Sequence, residues 1–147
     1  MGGFTAGEAV RVSEVPYQRL DYWARSGFAP PSLQKASGKG TDRRYSFKDL
    51  VTLRVANELR KQGVSLQKLR KVVRFLRQYK GEDATLASAR LVVSGDDVFA
   101  FENDEQVISA LKEPGQALLA FVVNLGSIAE HVRRDVEVIQ AERKLRA

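Results

Sequence analysis

Residues 5–27 read "TAGEAVRVSEVPYQRLDYWARSG", and this stretch decides the fold. Thr5 followed by Glu8 makes a T-x-x-E capping box, in which each side chain satisfies an orphan backbone N–H at a helix start. A short helix through about Arg11 follows, with Ala6, Ala9 and Val10 as its apolar side. Ser13-Glu14 reads as a turn. Pro16 suits the first position of a second helix, where its missing N–H would be unpaired in any case. That helix carries Leu20, Trp23 and Ala24 at core spacing and stops at Gly27. Two short helices joined by a tight turn form a helix-turn-helix candidate.

Working outward, the paired prolines and the glycines of residues 28–45 forbid a helix, and the segment reads as a short hairpin. Its tip, "SGKGTDRRYSFKDL" at 37–50, invites comparison with a phosphate-binding loop. The spacing rules that out. G-x-x-x-x-G-K-[ST] needs Ser or Thr where Gly40 stands and a glycine where Leu33 stands. A basic hairpin fits better: glycines allow close approach to a backbone, and Lys39, Arg43 and Arg44 supply charge-assisted donors to phosphate.

Ser46 caps a third helix with Asp49 near its positive end and Leu50, Leu53, Ala56 and Leu59 inward, ending at Gly63. Ser65 caps a fourth, with Leu66, Leu69, Val73 and Leu76 inward. Lys68, Arg70, Lys71, Arg74, Arg77 and Lys80 cover its other faces, either as a solvated surface or as a DNA contact. Backbone N–H groups at its start, near residues 65–68, could also meet a phosphate.

Charge divides the chain. Residues 1–80 hold 17 Lys/Arg against 6 Asp/Glu, and residues 81–147 hold 7 against 12, within an overall +6. A basic front and an acidic back suggest a domain at 1–80 that meets a polyanion and a second module at 81–147. In the latter, "EDATLAS" is a linker candidate and "RLVVSGDDVFAFE" a hairpin. "DEQVISALK" is a short helix, Pro114-Gly115 a turn, and "ALLAFVVNL" a buried strand that periodicity alone does not separate from a helix. Residues 127–146 form an amphipathic helix with Ile128, Val132, Val136 and Ile139 along one side.

Several functions are disfavoured. With no cysteine there is no thiolate metal site or disulfide framework, and His131 alone is no metal site. The acids around Asp96 and Asp97 lack calcium-loop order, and no catalytic constellation is evident. No cofactor is expected. There is no run of the ~18 apolar residues a membrane span needs and no signal-peptide pattern, so a cytoplasmic location is expected.

Three marks resemble the DNA-binding domain of MerR-type transcription regulators: the T-x-G-E opening, the L-x-Y-[aromatic]-x-R-x-G close of the second helix, and R-x-Y-S-x-x-D-L followed by L-R-x-x-G-x-S-L. Together they cover about residues 4–76. The resemblance implies a winged helix-turn-helix of four helices plus a wing hairpin; with the small α+β module read from the residues after it, ending in the long helix, the expected fold is mainly α with small β elements. It implies that the second helix enters the major groove with Tyr17, Gln18 and Arg19 at base edges, and that Tyr22 meets the backbone. Arg43 and Arg44 match the family's basic wing pair, of which one can pair with an acid instead, and Tyr45 matches its aromatic. Thr5, Pro16 and Lys39 complete the expected DNA-contact set. Gln18 and Asp21 stand where the family usually has Arg.

The expected partners are double-stranded DNA, a second copy joined through residues 81–147, and RNA polymerase or another protein. Two alternative readings are an antitoxin-like interaction protein that autoregulates, and an excisionase-like architectural DNA binder.

Overall fold

The computed structural model describes residues 2–34, 43–78, 89–94, 97–103, 105–106 and 120–146. Five helices and a three-stranded sheet are present among them: α1 (Ala6–Ser13), α2 (Tyr17–Arg25), α3 (Phe47–Lys61), α4 (Leu66–Gln78), β1 (Arg90–Ser94), β2 (Asp97–Phe101), β3 (Ala120–Asn124) and α5 (Leu125–Arg146). The fold is mainly helical, as expected. The "EDATLAS" linker, Pro114-Gly115 and most of "DEQVISALK" lie outside the described residues, as does Lys39.

Both capping boxes form. The Glu8 N–H donates to Thr5 Oγ1 at 3.1 Å and the Thr5 N–H to Glu8 Oε1 at 3.0 Å. At α3 the pair is Ser46 and Asp49, at 3.0 and 2.9 Å. Helix α1 runs to Ser13, two residues beyond the expected end, because the buried Ser13 hydroxyl donates back to the Ala9 carbonyl at 2.6 Å. Glu14 then takes a left-handed conformation, φ 64°, that stops the helix without a glycine. Pro16 caps α2 rather than occupying its first turn.

Helix α3 lies at the centre. Leu50, Leu53, Ala56 and Leu59 are buried as expected, and so are Val51, Thr52, Val55 and Asn57. One stripe does not suffice because α3 is packed against α1, α4 and α5. Helix α4 buries Leu69, Val72, Val73 and Leu76, whereas Leu66, expected inward, is exposed in its first turn.

The hairpin signal after residue 90 is realised as β1 and β2, in register from Arg90↔Phe101 to Ser94↔Asp97. Residues 120–124 are indeed strand and pair antiparallel with β1 on its other edge, giving the order β2-β1-β3. Helix α5 starts directly after β3, with the Leu125 N–H donating to the Ala89 carbonyl at 3.1 Å. It then crosses back onto the front of the chain. Leu125, Ala129, Val132, Val136 and Ile139 join one apolar core with α1, α3 and β1. Each fully buried branched side chain contributes about 1.5–3 kcal/mol.

Ion pairs fix the far end of α5. Arg143 reaches Glu8 at 2.5 Å and the Gly3 carbonyl at 3.1 Å, with its guanidinium over the Phe4 ring. Arg11 and Glu142 form a bidentate pair at 2.8 and 2.9 Å. Arg54, in α3, donates to the Val12 carbonyl at 3.0 Å and faces Asp135 and Glu14.

Candidate nucleic-acid interface

Helix α2 has one buried and one open side. Leu20 and Trp23 are buried, with Trp23 packed on Phe28 at a ring-centroid distance of 4.9 Å. The opposite side carries Tyr17 and Tyr22, 57% and 56% exposed, with Gln18 exposed between them. Large aromatics left in water on a short helix need a reason, since single-domain surfaces rarely present them in groups. Arg19 lies half-buried at the edge of this face.

Beside α2 sits the root of the predicted hairpin. Gln34 and Arg44 form an antiparallel bridge, and Tyr45 bridges Phe4, so the segment before α1 adds a third short piece. Phe4 and Tyr45 exchange N–H···O bonds, both 2.8 Å. Gly3 is needed at this crossing: its φ is +101°, and a Cβ there would meet Leu33 and the Tyr45 carbonyl oxygen. The residues that would form the hairpin tip, 35–42, lie outside the described ones.

The candidate residues differ in their surroundings. Pro16, Tyr17, Gln18 and Tyr22 are exposed together on one surface. Arg43 is only 13% exposed and pairs with Asp21 at 2.7 Å, while Asp21 also accepts from Arg25 at 2.9 Å. The acid that departs from the family pattern therefore holds the wing arginine, so Arg43 is the one of the two that pairs with an acid. Those two guanidiniums, Arg43 first, hold the Asp21 carboxyl below its usual range against a smaller opposing effect of burial. Arg44 is half-buried and makes no ion pair among the described residues. Thr5 has its hydroxyl engaged in the cap. Tyr45 is fully buried, so its ring braces the wing root from inside instead of facing solvent. Burial pushes its hydroxyl up to about 12.

Asp49 was read only as a helix-start acid, yet it organises the site's base. Its Oδ2 accepts from the Ser32 N–H and hydroxyl at 2.8 and 2.7 Å, which ties the hairpin's first arm to α3. Arg77 of α4 stands 4.0 Å from its Oδ1 and also donates to the Pro30 carbonyl. At the start of α4 the Lys68 N–H is turned to Ser65 Oγ at 3.3 Å, so that donor caps the helix.

Among the described residues no cluster of three or more His, Asp or Glu could hold a metal, and no helix is long and apolar enough to cross a membrane.

Comparison with known proteins bears on the helix-turn-helix itself. Residues 4–92 match the family described as MerR HTH family regulatory protein. HTH-type transcriptional regulators of Mycobacterium bovis and of two Mycobacterium tuberculosis strains are each 34% identical over 122 residues, covering 83% of this chain and 53% of theirs. The chain thus spans about half the length of the curated relatives it matches. It carries the helix-turn-helix of a DNA-binding regulator, and it belongs to the MerR HTH family.

Proposed function

We propose that this protein regulates transcription by placing α2 in the major groove of a specific DNA site, with the wing on the adjoining backbone. The observation that carries the reading is the open side of α2. Tyr17, Gln18 and Tyr22 stand clear of the core, next to a basic hairpin root. An α-helix with its side chains is roughly 10–12 Å across, and the major groove is about 12 Å wide. Gln18 suits adenine through two hydrogen bonds and Arg19 suits guanine. Tyr22, Arg44 and Lys39 then serve phosphates, while Pro16 and Thr5 set the helix starts against the backbone. In this reading Arg43 and Tyr45 shape the wing rather than touch DNA, which their pairing and burial support.

Residues 1–80 form the DNA-binding unit in this proposal, and residues 81–147 serve to join two copies. The stripe containing Val132, Val136 and Ile139 is consumed within the chain. The outward side of α5 offers a second series, His131, Arg134, Val138, Ala141 and Leu145, spaced alternately three and four apart and exposed. Val138 and Leu145 are large apolar groups in water there. A two-fold dimer would read two half-sites separated by whole helical turns. The protein acts in the cytoplasm on the chromosome, and contact with RNA polymerase would convert site occupancy into altered transcription.

Crosslinking the protein to its own genome and sequencing the bound fragments tests the reading. Enriched fragments sharing a two-fold-related motif near promoters are expected; enrichment without any shared motif would contradict it.

A further inference from the structure

The wing root is built from three short segments. Phe4 and Tyr45 exchange backbone hydrogen bonds of 2.8 Å, and on the other edge the Arg44 N–H donates to the Gln34 carbonyl at 2.8 Å. The order across the root is therefore residues 3–4, then 44–45, then 33–34. Gly3 presses closely on the middle segment. A Cβ placed on it would stand 3.1 Å from the Tyr45 carbonyl oxygen and 3.6 Å from the Arg44 Cβ. Any displacement of residues 3–4 is thus felt at Arg44.

Residues 3–5 are in turn clamped by one side chain from the last turn of α5. Arg143 Nη2 donates to the Gly3 carbonyl at 3.1 Å and to Glu8 Oε1 at 2.5 Å, and its Nε donates to Glu8 Oε2 at 3.3 Å. The same guanidinium stands 5.3 Å from the centroid of the Phe4 ring, within range of a cation–π contact. Glu8 Oε1 also accepts the Thr5 N–H at 3.0 Å. Arg143 therefore holds residue 3 by its carbonyl, residue 4 by its ring and residue 5 through a shared carboxylate. Hydrogen bonds carrying charge on both partners are roughly twice as strong as neutral ones. The second strut between these helices, Arg11 with Glu142, starts from within α1 instead of from the segment before it.

We propose that Arg143 is a positioning residue for DNA binding: by clamping residues 3–5 it holds the wing root where Arg44 reaches a phosphate. The inference rests on the proposed phosphate contact of Arg44, and it makes the wing's grip depend on the docked end of α5. The link is a contiguous series of bonds, from the guanidinium to Gly3 and Phe4 and then across the paired backbones to residues 44–45. Arg143 acts through Arg44 and needs no phosphate of its own.

The test is the salt dependence of the full chain's binding to a random-sequence 30-base-pair duplex, read by fluorescence anisotropy for wild type, R44Q, R143Q, R44Q/R143Q and R11Q. Arg11→Gln removes the other strut at the same cost in net charge, so it controls for a loosened helix end. In R44Q and in R143Q the slope of log K against log salt is expected to become shallower by about 0.9, one phosphate contact, with R11Q at the wild-type slope. The double variant should lose no more than R44Q alone, since two residues that act through one contact are not additive. A smaller folded fraction would lower apparent affinity and leave the slope in place, so the slope separates positioning from stability; circular dichroism follows folding across the salt series. Should R143Q unfold, Arg143→Lys repeats the test. Its ammonium ends one bond short of Nη2, which keeps charge beside Glu8 and loses the reach to the Gly3 carbonyl, so the same loss is expected. A wild-type slope in the folded Arg143 variant overturns the inference, as do an equal loss in R11Q and an additive loss in the double variant. If R44Q flattens the slope and R143Q does not, the positioning role falls and the wing reading stands. If R44Q keeps the wild-type slope, the wing reading falls and takes the inference with it.

Discussion

Arg43 Nη2 lies 2.7 Å from Asp21 Oδ1, so the root of the wing and helix α2 are joined by an ion pair within the protein. An acid on a helix that approaches DNA opposes the phosphates, but here it also occupies the cation that would otherwise be free to meet any phosphate. With α2 in the groove as proposed, the pair would trade general affinity for a fixed wing root. Replacing Asp21 with Ala should release Arg43, raise affinity for random-sequence DNA and steepen the log–log salt slope by about 0.9. Anisotropy titrations at several salt concentrations would show this; an unchanged slope would mean that Arg43 stays engaged elsewhere.

Tyr45 yields a prediction of the opposite kind. Its hydroxyl is buried and has no hydrogen-bond partner among the described residues. Removing an unsatisfied buried group costs little or stabilises, so Tyr45→Phe should unfold in urea within about 1 kcal/mol of wild type or later. Tyr45→Ala, which empties the ring's space, should lose about 3–5 kcal/mol. The hydroxyl's raised value also sets a pH dependence. With a folded value of about 12 above the ordinary tyrosine value of 10.0, its contribution is complete below pH 10 and is lost as pH rises towards 12. Tyr45→Phe should lack that alkaline loss. A similar loss in the variant would assign it to another group.

Acid should act at the junction of α1 and α5. Burial raises the Glu8 carboxyl, but the Arg143 guanidinium and the Thr5 backbone and side chain together outweigh it and leave it lowered from 4.5. Glu142 is lowered chiefly by its hydrogen bond to Arg11. Folded-state values below the unfolded ones mean that these pairs stabilise fully above about pH 4.5 and weaken as pH falls through the folded values. Protection factors for hydrogen exchange over residues 140–146, taken relative to the intrinsic rate at each pH, should therefore fall below pH 4.5 before global unfolding, and Arg143→Gln should show lower protection already at pH 7. Equal protection in the variant would mean that apolar packing alone holds the helix end.

Much of this fold was legible because its determinants are local. Thr5 with Glu8 and Ser46 with Asp49 each span three residues, and both caps formed. The strand at 120–124 became distinguishable from a helix only through its pairing with β1. Non-local partners were not legible. Leu66 follows the apolar period of α4 yet lies in water, because the period does not say where the neighbouring helix ends. Val51 and Val55 are buried because α3 is enclosed by α1, α4 and α5, the last of which starts more than sixty residues later. At the site, the open side of α2 follows from its own periodicity. The burial of Tyr45 depends on Phe4 pairing across the wing root, and Asp21 gained its meaning only with Arg43 placed beside it.

The outward series on α5 predicts assembly. Val138 and Leu145 are exposed apolar side chains one heptad apart. Light scattering at micromolar concentration should give twice the 16.4 kDa chain mass, and Val138→Asp with Leu145→Asp should return it to one chain with unchanged helix content. A single-chain mass for the wild type would remove residues 81–147 as a dimer interface.

The central claim is that α2 reads bases while the wing holds the backbone, and the most direct measurement compares Arg19→Ala and Arg44→Ala on two duplexes, a genomic fragment bound by the protein and a scrambled one. Arg19→Ala should weaken the genomic duplex by about 1–3 kcal/mol and the scrambled one far less. Arg44→Ala should weaken both alike and reduce the salt slope by about 0.9. Equal losses on the two duplexes for Arg19→Ala, with no effect of Arg44→Ala on either, would contradict the account.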